Sequence, residues 1–193
     1  MRLAAWPIWD TNSISARCLT STRPTSDRAR EGLFATVQSE LGSLTGKRVL
    51  DLYAGSGAVG LEALSRGAGH VLLVESDART AAVVKANVAA IGISGATVVT
   101  DRAERLLGRP PDPSDHYDLV FADPPYAVTE DAVTRVLTLL AGGWLADGAL
   151  VVVERATRSG ELEWPPGYLP GKSRRYGEAT FWYGWHGDGA EES

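Results

Sequence analysis

Asp123-Pro124-Pro125-Tyr126 is the stretch of this chain best equipped to do chemistry. It closes an apolar run, Asp118-Leu119-Val120-Phe121-Ala122, that reads as a buried strand. Each proline lacks an N–H, fixes its own φ and drives the residue before it into an extended conformation. The Asp123 carboxylate and the Pro124 carbonyl are therefore expected to be rigid and free of helix or sheet partners, with the Tyr126 ring beside them. Two fixed acceptors and a flat ring suit a planar base held by its amino group. An exocyclic amine is a poor nucleophile because its lone pair is delocalised into the ring. Acceptors at Asp123 and Pro124 bind its hydrogens, localise the lone pair and aim it, while Tyr126 stacks on the base. Positioning and desolvation then supply most of the rate.

A second constellation supplies what such an amine could attack. Gly55-Ser56-Gly57-Ala58-Val59-Gly60 fits a G-x-G-x-x-G turn between a strand and a helix. Such glycines let the backbone approach a ligand and make the turn. Asp51 precedes Leu52-Tyr53-Ala54-Gly55. A carboxylate so close to the turn repels a pyrophosphate and attracts an ammonium group, and Asp-x-x-x-Gly-x-Gly is the pattern of S-adenosylmethionine enzymes. A nicotinamide site, and a turn that needs glycine only for packing, are the alternatives. Glu75 ends the next strand, where an acid can accept both ribose hydroxyls of a nucleoside or simply charge a helix start. Asp101 ends a third strand and can accept an adenine amino group or cap the short helix after it. The expected donor-binding set is Asp51, Tyr53, Ala54, Gly55, Ser56, Gly57, Glu75 and Asp101.

The elements that must position these groups alternate. Thr25 or Ser26 can cap a first helix, with Asp27 in its first turn and Leu33, Phe34, Val37 and Leu41 as an apolar stripe. Strands are expected at Arg48 to Tyr53, His70 to Glu75, Thr97 to Thr100, Asp118 to Ala122 and Ala149 to Glu154, the last buried on both faces. Helices are expected around Val59 to Leu64, from Asp77 to about Ala90 with Gly92 ending it, through Leu107, and from Glu130 to Leu140. Such repeats imply a parallel sheet covered on both sides, with right-handed crossovers. Lys172 to Tyr176 and Ala179 to Trp185 break the pattern as two strands around Gly177, without a helix between them.

A net charge of −5 argues against gripping nucleic acid by bulk charge, so any such contact must use a local patch. Arg23, Arg28 and Arg30, crowded around Pro24 to Asp27, could form it or could be a solvated helix start; Arg174 and Arg175 are weaker candidates. Cys18 is the single cysteine, which excludes an intramolecular disulfide and a cysteine-based zinc site. His70, His116 and His186 have no ligand-like spacing, so no metal is expected. Trp144, Trp164, Trp182 and Trp185 read as packing residues. Nothing approaches a membrane-spanning length, and Met1 to Asp10 is too short and interrupted for a signal peptide, so the expected place is the cytoplasm.

Four stretches together carry a resemblance. Arg23-Pro24-Thr25-Ser26-Asp27-Arg28-Ala29-Arg30-Glu31, Asp51 to Gly57, Gly60-Leu61-Glu62-Ala63-Leu64-Ser65-Arg66-Gly67 and Asp123 to Tyr126 resemble the RsmD-type bacterial 16S rRNA guanine-N2 methyltransferases. The resemblance implies the class I S-adenosylmethionine-dependent methyltransferase fold: an α/β, Rossmann-like, seven-stranded mixed sheet with helices on both faces and an antiparallel seventh strand. It implies S-adenosylmethionine as donor, and as partner a guanine of 16S rRNA in the small subunit or its assembly intermediate. It also places Arg23, Thr25, Arg28 and Arg30 at the substrate and Asp123, Pro124, Pro125 and Tyr126 at the reaction. Residues 23–185 form the methyltransferase domain on this reading, and 186–193 an acidic disordered tail. Residues 1–22 depart from the family's basic, glycine-containing hairpin, with Ala16-Arg17-Cys18-Leu19 a faint echo of its end, and are expected to be disordered or part of an RNA-docking extension. Three readings compete: an adenine-N6 methyltransferase on DNA or RNA, a nicotinamide-dependent oxidoreductase, and a catalytically dead binding module.

Overall fold

The computed structural model describes residues 27–112 and 115–187. Cys18, Arg23, Thr25, Ser26 and the whole of 1–22 lie outside the described residues, as does the tail beyond 187. The chain enters as α1 (Asp27–Leu41) and then alternates β1 (Arg48–Leu52), α2 (Ala58–Ser65), β2 (His70–Glu75), α3 (Ala78–Ile91), β3 (Ala96–Thr100), α4 (Ala103–Leu107), β4 (Tyr117–Ala122), α5 (Glu130–Ala141), β5 (Leu145–Ala156), β6 (Tyr168–Tyr176) and β7 (Ala179–His186). The strands form one seven-stranded sheet in the order β3-β2-β1-β4-β5-β7-β6. The first five are parallel, while β7 runs antiparallel to both β5 and β6. This is the expected class I methyltransferase sheet.

Both faces of the central strands are buried, which explains their near-continuous apolar sequence. Alternate residues feed two cores. Leu50, Leu52, Val120, Ala122, Val151 and Val153 pack under α4 and α5. Val49, Val71, Leu73, Leu119, Phe121, Leu150 and Val152 pack under α1, α2 and α3. Helix ends follow local chemistry. Asp77 accepts from Thr80 N–H at the start of α3, and Thr129 accepts from Ala132 N–H at the start of α5. Gly92, with φ 68°, closes α3 as expected.

Several boundaries differ from expectation. β5 starts at Leu145, because the ladder to β4 skips from Tyr117↔Leu145 to Leu119↔Leu150 and so absorbs extra residues ahead of the apolar run. β6 starts at Tyr168, ahead of Lys172, with an irregularity between Pro170 and Ser173. Proline, charge and a bulge are common on an exposed edge strand, where they discourage pairing with another chain. His186, expected to open the tail, is the last residue of β7, and its Nδ1 lies 3.2 Å from the Ala146 carbonyl. His70 contacts the Thr97 hydroxyl. Trp144 is buried and donates to the Leu107 carbonyl, in keeping with a packing role.

Candidate active site

The parallel register brings the strand-ending acids into one row. Val74 lies opposite Leu52, Leu52 opposite Ala122, and Ala122 opposite Val153. The next position along β2, β4 and β5 is therefore Glu75, Asp123 and Glu154. Asp51 sits two residues behind that row on β1, opposite Phe121. Side chains two apart along a strand share a face, so all four acids belong to the face covered by α1, α2 and α3.

The glycine turn is built around two of these carboxylates. Asp51 is 2% exposed, and its Oδ2 accepts from Gly60 N–H at 2.9 Å. Glu75 Oε2 accepts from Gly55 N–H at 3.0 Å, while its Oε1 accepts from Asp77 N–H at 2.8 Å. Asn87 on α3 donates to the Ser56 carbonyl at 3.0 Å. Gly55 (φ 56°) and Gly57 (φ 80°) take the left-handed backbone that glycine allows without strain. A Cβ on Gly55 would meet nothing nearer than 3.9 Å, so that side of the turn stands open to a ligand. Gly60 is different: a Cβ there would fall 2.8 Å from Leu73 and 2.9 Å from Val71, so this glycine serves helix–sheet packing. Between the acid and the glycines stands Tyr53, with φ 64°, the one non-glycine residue of positive φ among those described. Such strain persists where the surroundings over-determine it, often at ligand sites.

Burial, with neighbouring acids adding to it, raises the proton affinity of Asp51 and Asp123. Burial pushes Asp51 from 3.8 up to about 7, against the lowering bond from Gly60, with nearby Glu75 adding to the rise. Burial, then Glu154, then Asp51 push Asp123 well above the usual carboxylate range. No hydrogen bond from the described residues reaches the Asp123 carboxylate or the Pro124 carbonyl, which agrees with the free acceptors expected there. The Pro125 carbonyl accepts from Val128 N–H at 2.8 Å and closes the loop. Tyr126 is 64% exposed, its ring free to receive a flat partner.

Asp123, Pro124 and Tyr126 line a pocket completed by Glu154, Arg155 and Ser159, among others. Arg155 is nearly buried; it pairs with Glu130 and donates to the Val128 carbonyl at 3.4 Å, tying the end of β5 to the start of α5 across the loop. Glu154, Arg155, Ser159 and Asn87 were not singled out from the sequence. Glu154 carried a legible signal, being an acid that ends an apolar strand as Glu75 does.

Asp101 does not cap α4, whose N-cap is Arg102 with no side-chain cap bond; its carboxylate meets arginines and the adjacent amide instead. It accepts from Arg102 N–H at 2.7 Å and from Arg105 Nε at 2.5 Å, and its other oxygen accepts from Arg109 at 3.1 Å. These arginine and backbone bonds hold it below the usual carboxylate range. The Asp51 carboxylate lies beneath the turn, where it holds Gly60 N–H.

The described candidate basic residues lie on α1 and at the end of β6. A Cβ on Gly32 of α1 would collide with the Tyr176 ring, at the end of β6. Arg174 shares a row with Phe181 and Glu154. At the start of α1, Arg28 is exposed and Arg30 pairs with Asp27 at 2.7 Å. Arg23 and Thr25 lie outside the described residues. Among the described residues, no group of three or more His, Cys, Asp or Glu is placed to hold a metal, and no helix is long and apolar enough to cross a membrane.

Known proteins share this layout. The family model described as Conserved hypothetical protein 95 matches residues 9–185. A ribosomal RNA small subunit methyltransferase D of Escherichia coli is 37% identical over 139 residues, covering 72% of this chain and 66% of that protein, just under two thirds of its length. A Bacillus subtilis protein described as a putative rRNA methyltransferase YlbH is 37% identical over 129 residues, 66% of this chain and 67% of its own. Among solved structures, a putative methyltransferase yhhF from Escherichia coli superposes with a TM-score of 0.75 at 30% identity, covering 86% of this chain and 88% of that one.

Proposed function

This chain belongs to the Conserved hypothetical protein 95 family, and on that premise we propose that it transfers the methyl group of S-adenosylmethionine to the exocyclic N2 of a guanine in 16S rRNA. Its partner on this reading is the small ribosomal subunit or an assembly intermediate, met in the cytoplasm.

One observation carries the choice of donor over a dinucleotide. The amides that would cradle a phosphate are already donating to carboxylates, Gly55 N–H to Glu75 and Gly60 N–H to Asp51. A pyrophosphate would meet two acids there, whereas an ammonium group and ribose hydroxyls meet acceptors. The residues therefore fit the donor: Glu75 keeps lone pairs for the ribose, the open side of Gly55 admits the ligand, and the backbone from Tyr53 to Gly57 walls it. Asp101 could receive an adenine amino group only by sharing oxygens with Arg105 and Arg109.

When bound, the donor supplies an electrophilic methyl carbon. Asp123 and the Pro124 carbonyl accept the two amino hydrogens of the base and hold N2 with its lone pair directed toward the donor side of the row. Tyr126 covers the ring. The Asp123 carboxylate takes up the proton that N2 sheds once its lone pair has bonded to carbon. A carboxyl held above its usual range is the stronger base once ionised, which suits that step. Arg28, Arg174 and Arg175, exposed on α1 and β6, are the local basic residues an acidic protein would use to meet phosphate.

The test is to incubate the protein with unmodified small subunits and methyl-labelled S-adenosylmethionine and to map the label. Label on the N2 of one guanine supports the proposal. Label on an adenine, or transfer to DNA in preference to small subunits, replaces it with the adenine-N6 reading.

A further inference from the structure

Pairing of Ala122 with Val153 makes Asp123 and Glu154 neighbours at the carboxyl ends of adjacent parallel strands, and both line the pocket that holds Pro124 and Tyr126. The transfer chemistry proposed above uses only the first acid: Asp123 and the Pro124 carbonyl account for both amino hydrogens. It leaves Glu154 without a task, although placing a second carboxylate beside a crowded first one has a cost. Arg155, next along β5, does not offset it through its guanidinium, which is turned to Glu130 and Val128.

We propose that Glu154 is the specificity-determining residue of this pocket, reading the N1–H of the target base. The inference rests on the guanine-N2 reading and deepens it. A guanine edge offers two adjacent donors, the N2 amino group and N1–H, and two neighbouring carboxylates match that pair. An adenine offers an amino group beside a bare N1 lone pair. Asp123 and Pro124 would accept its amino hydrogens equally well, so they cannot tell the two bases apart. Glu154 can, because a carboxylate facing a lone pair has no hydrogen to accept and repels it. A site built to receive a donor rejects the analogue that lacks it far more strongly than a site sorting bases by size, here through the repulsion between the carboxylate and the N1 lone pair.

The probe is 2-aminopurine, which keeps the exocyclic 2-amino group but carries a lone pair instead of a hydrogen at N1. Small subunits are reconstituted with guanine or 2-aminopurine at the mapped target, and single-turnover methyl transfer is measured for the wild type, Glu154→Gln and Glu154→Asp. The glutamine amide can rotate to accept from N1–H or to donate to a lone pair, so it no longer discriminates. Glu154→Gln is expected to lower transfer to guanine about 10- to 100-fold, to leave or raise transfer to 2-aminopurine, and to keep the wild-type donor dissociation constant. Glu154→Asp keeps the charge but shortens the reach, and must show the same selective loss. Equal loss on both bases, or no loss on guanine, overturns the assignment. Absence of wild-type transfer to any guanine is a different failure: it removes the guanine-N2 reading itself, and this inference with it.

Discussion

Asp51→Asn separates what the buried acid does for ligand binding from what it costs the fold. In the folded chain burial raises Asp51 from 3.8 to about 7, and Glu75 adds to the rise. The folded state therefore holds this proton more tightly than the unfolded chain does. The stabilisation that follows is fully present below pH 3.8 and is lost as pH rises to about 7. Each pH unit between the two values is worth about 1.4 kcal/mol, so the ionised form lies about 4 kcal/mol below a protein whose residue 51 stays neutral. Asparagine is nearly isosteric, and its oxygen can still accept from Gly60 N–H, but it does not titrate.

Urea unfolding at about pH 5.5 and about pH 8.5 reads the effect. Of the total, about 2 kcal/mol falls between those two conditions, because the folded-state titration ends near pH 7. Wild type should lose that amount relative to Asp51→Asn as pH is raised. The difference in slope is the diagnostic, rather than absolute stability, because the new amide N–H groups can subtract about 1–3 kcal/mol if they are left unpaired. Two stability curves that stay parallel across the range would refute the late ionisation of Asp51. On the proposed function the same variant binds S-adenosylmethionine more weakly, so the more stable protein at high pH is the poorer enzyme.

Three further substitutions test the rest of the site. Asp123→Ala should lower single-turnover methyl transfer by about 10²–10³-fold while calorimetry finds donor affinity close to wild type, and wild-type-like turnover would sink the role given to Asp123. Tyr126→Ala, at a residue 64% exposed, should shift the urea midpoint little while weakening capture of the RNA substrate by about 1–3 kcal/mol, the loss of one base stack; unchanged half-saturation would count against stacking. Gly60→Ala forces a Cβ to 2.8 Å from Leu73 and 3.1 Å from Asp51 Oδ2, and should cost about 1–3 kcal/mol by overpacking. A wild-type urea midpoint for that variant would show that α2 yields without strain.

The alternation of strands and helices was legible because parallel strands buried on both faces have no polar face to confuse the pattern, as in Leu119 to Ala122 and Ala149 to Val153. The closing antiparallel pair was legible from the missing helix around Gly177. What the sequence did not reveal depends on register. Nothing in the spacing from 51 to 60 says that Gly60 N–H will fall on Asp51, or from 55 to 75 that Gly55 will donate to Glu75. Glu154 was overlooked for the same reason: an acid after five apolar residues becomes a site residue only once its strand is placed beside β4. Asp101 shows the reverse. Arg105, four positions on, was a visible partner for its carboxylate, and the structure shows the two bonded.

The distribution of arginines separates the acids that serve structure from those that serve binding. Arg105 and Arg109 neutralise Asp101, and Arg155 goes to Glu130 at the start of α5. Asp51 and Asp123 lie in the same layer of the sheet, yet among the described residues neither forms an ion pair with arginine or lysine, and both are pushed toward the protonated state. Folding alone favours the first arrangement, since an unpaired buried carboxylate is destabilising. On the proposed function, acids kept without a protein cation, beside a glycine turn whose amides Asp51 and Glu75 already occupy, mark a place where positive charge is to come from a ligand. The sheet supplies the contrast that makes the argument specific. Asp101, just after β3, and Glu130, facing the end of β5, have their arginines; at the carboxyl ends of β1 and β4, where the glycine turn meets Asp123-Pro124-Pro125-Tyr126, none pairs with Asp51 or Asp123 among the described residues.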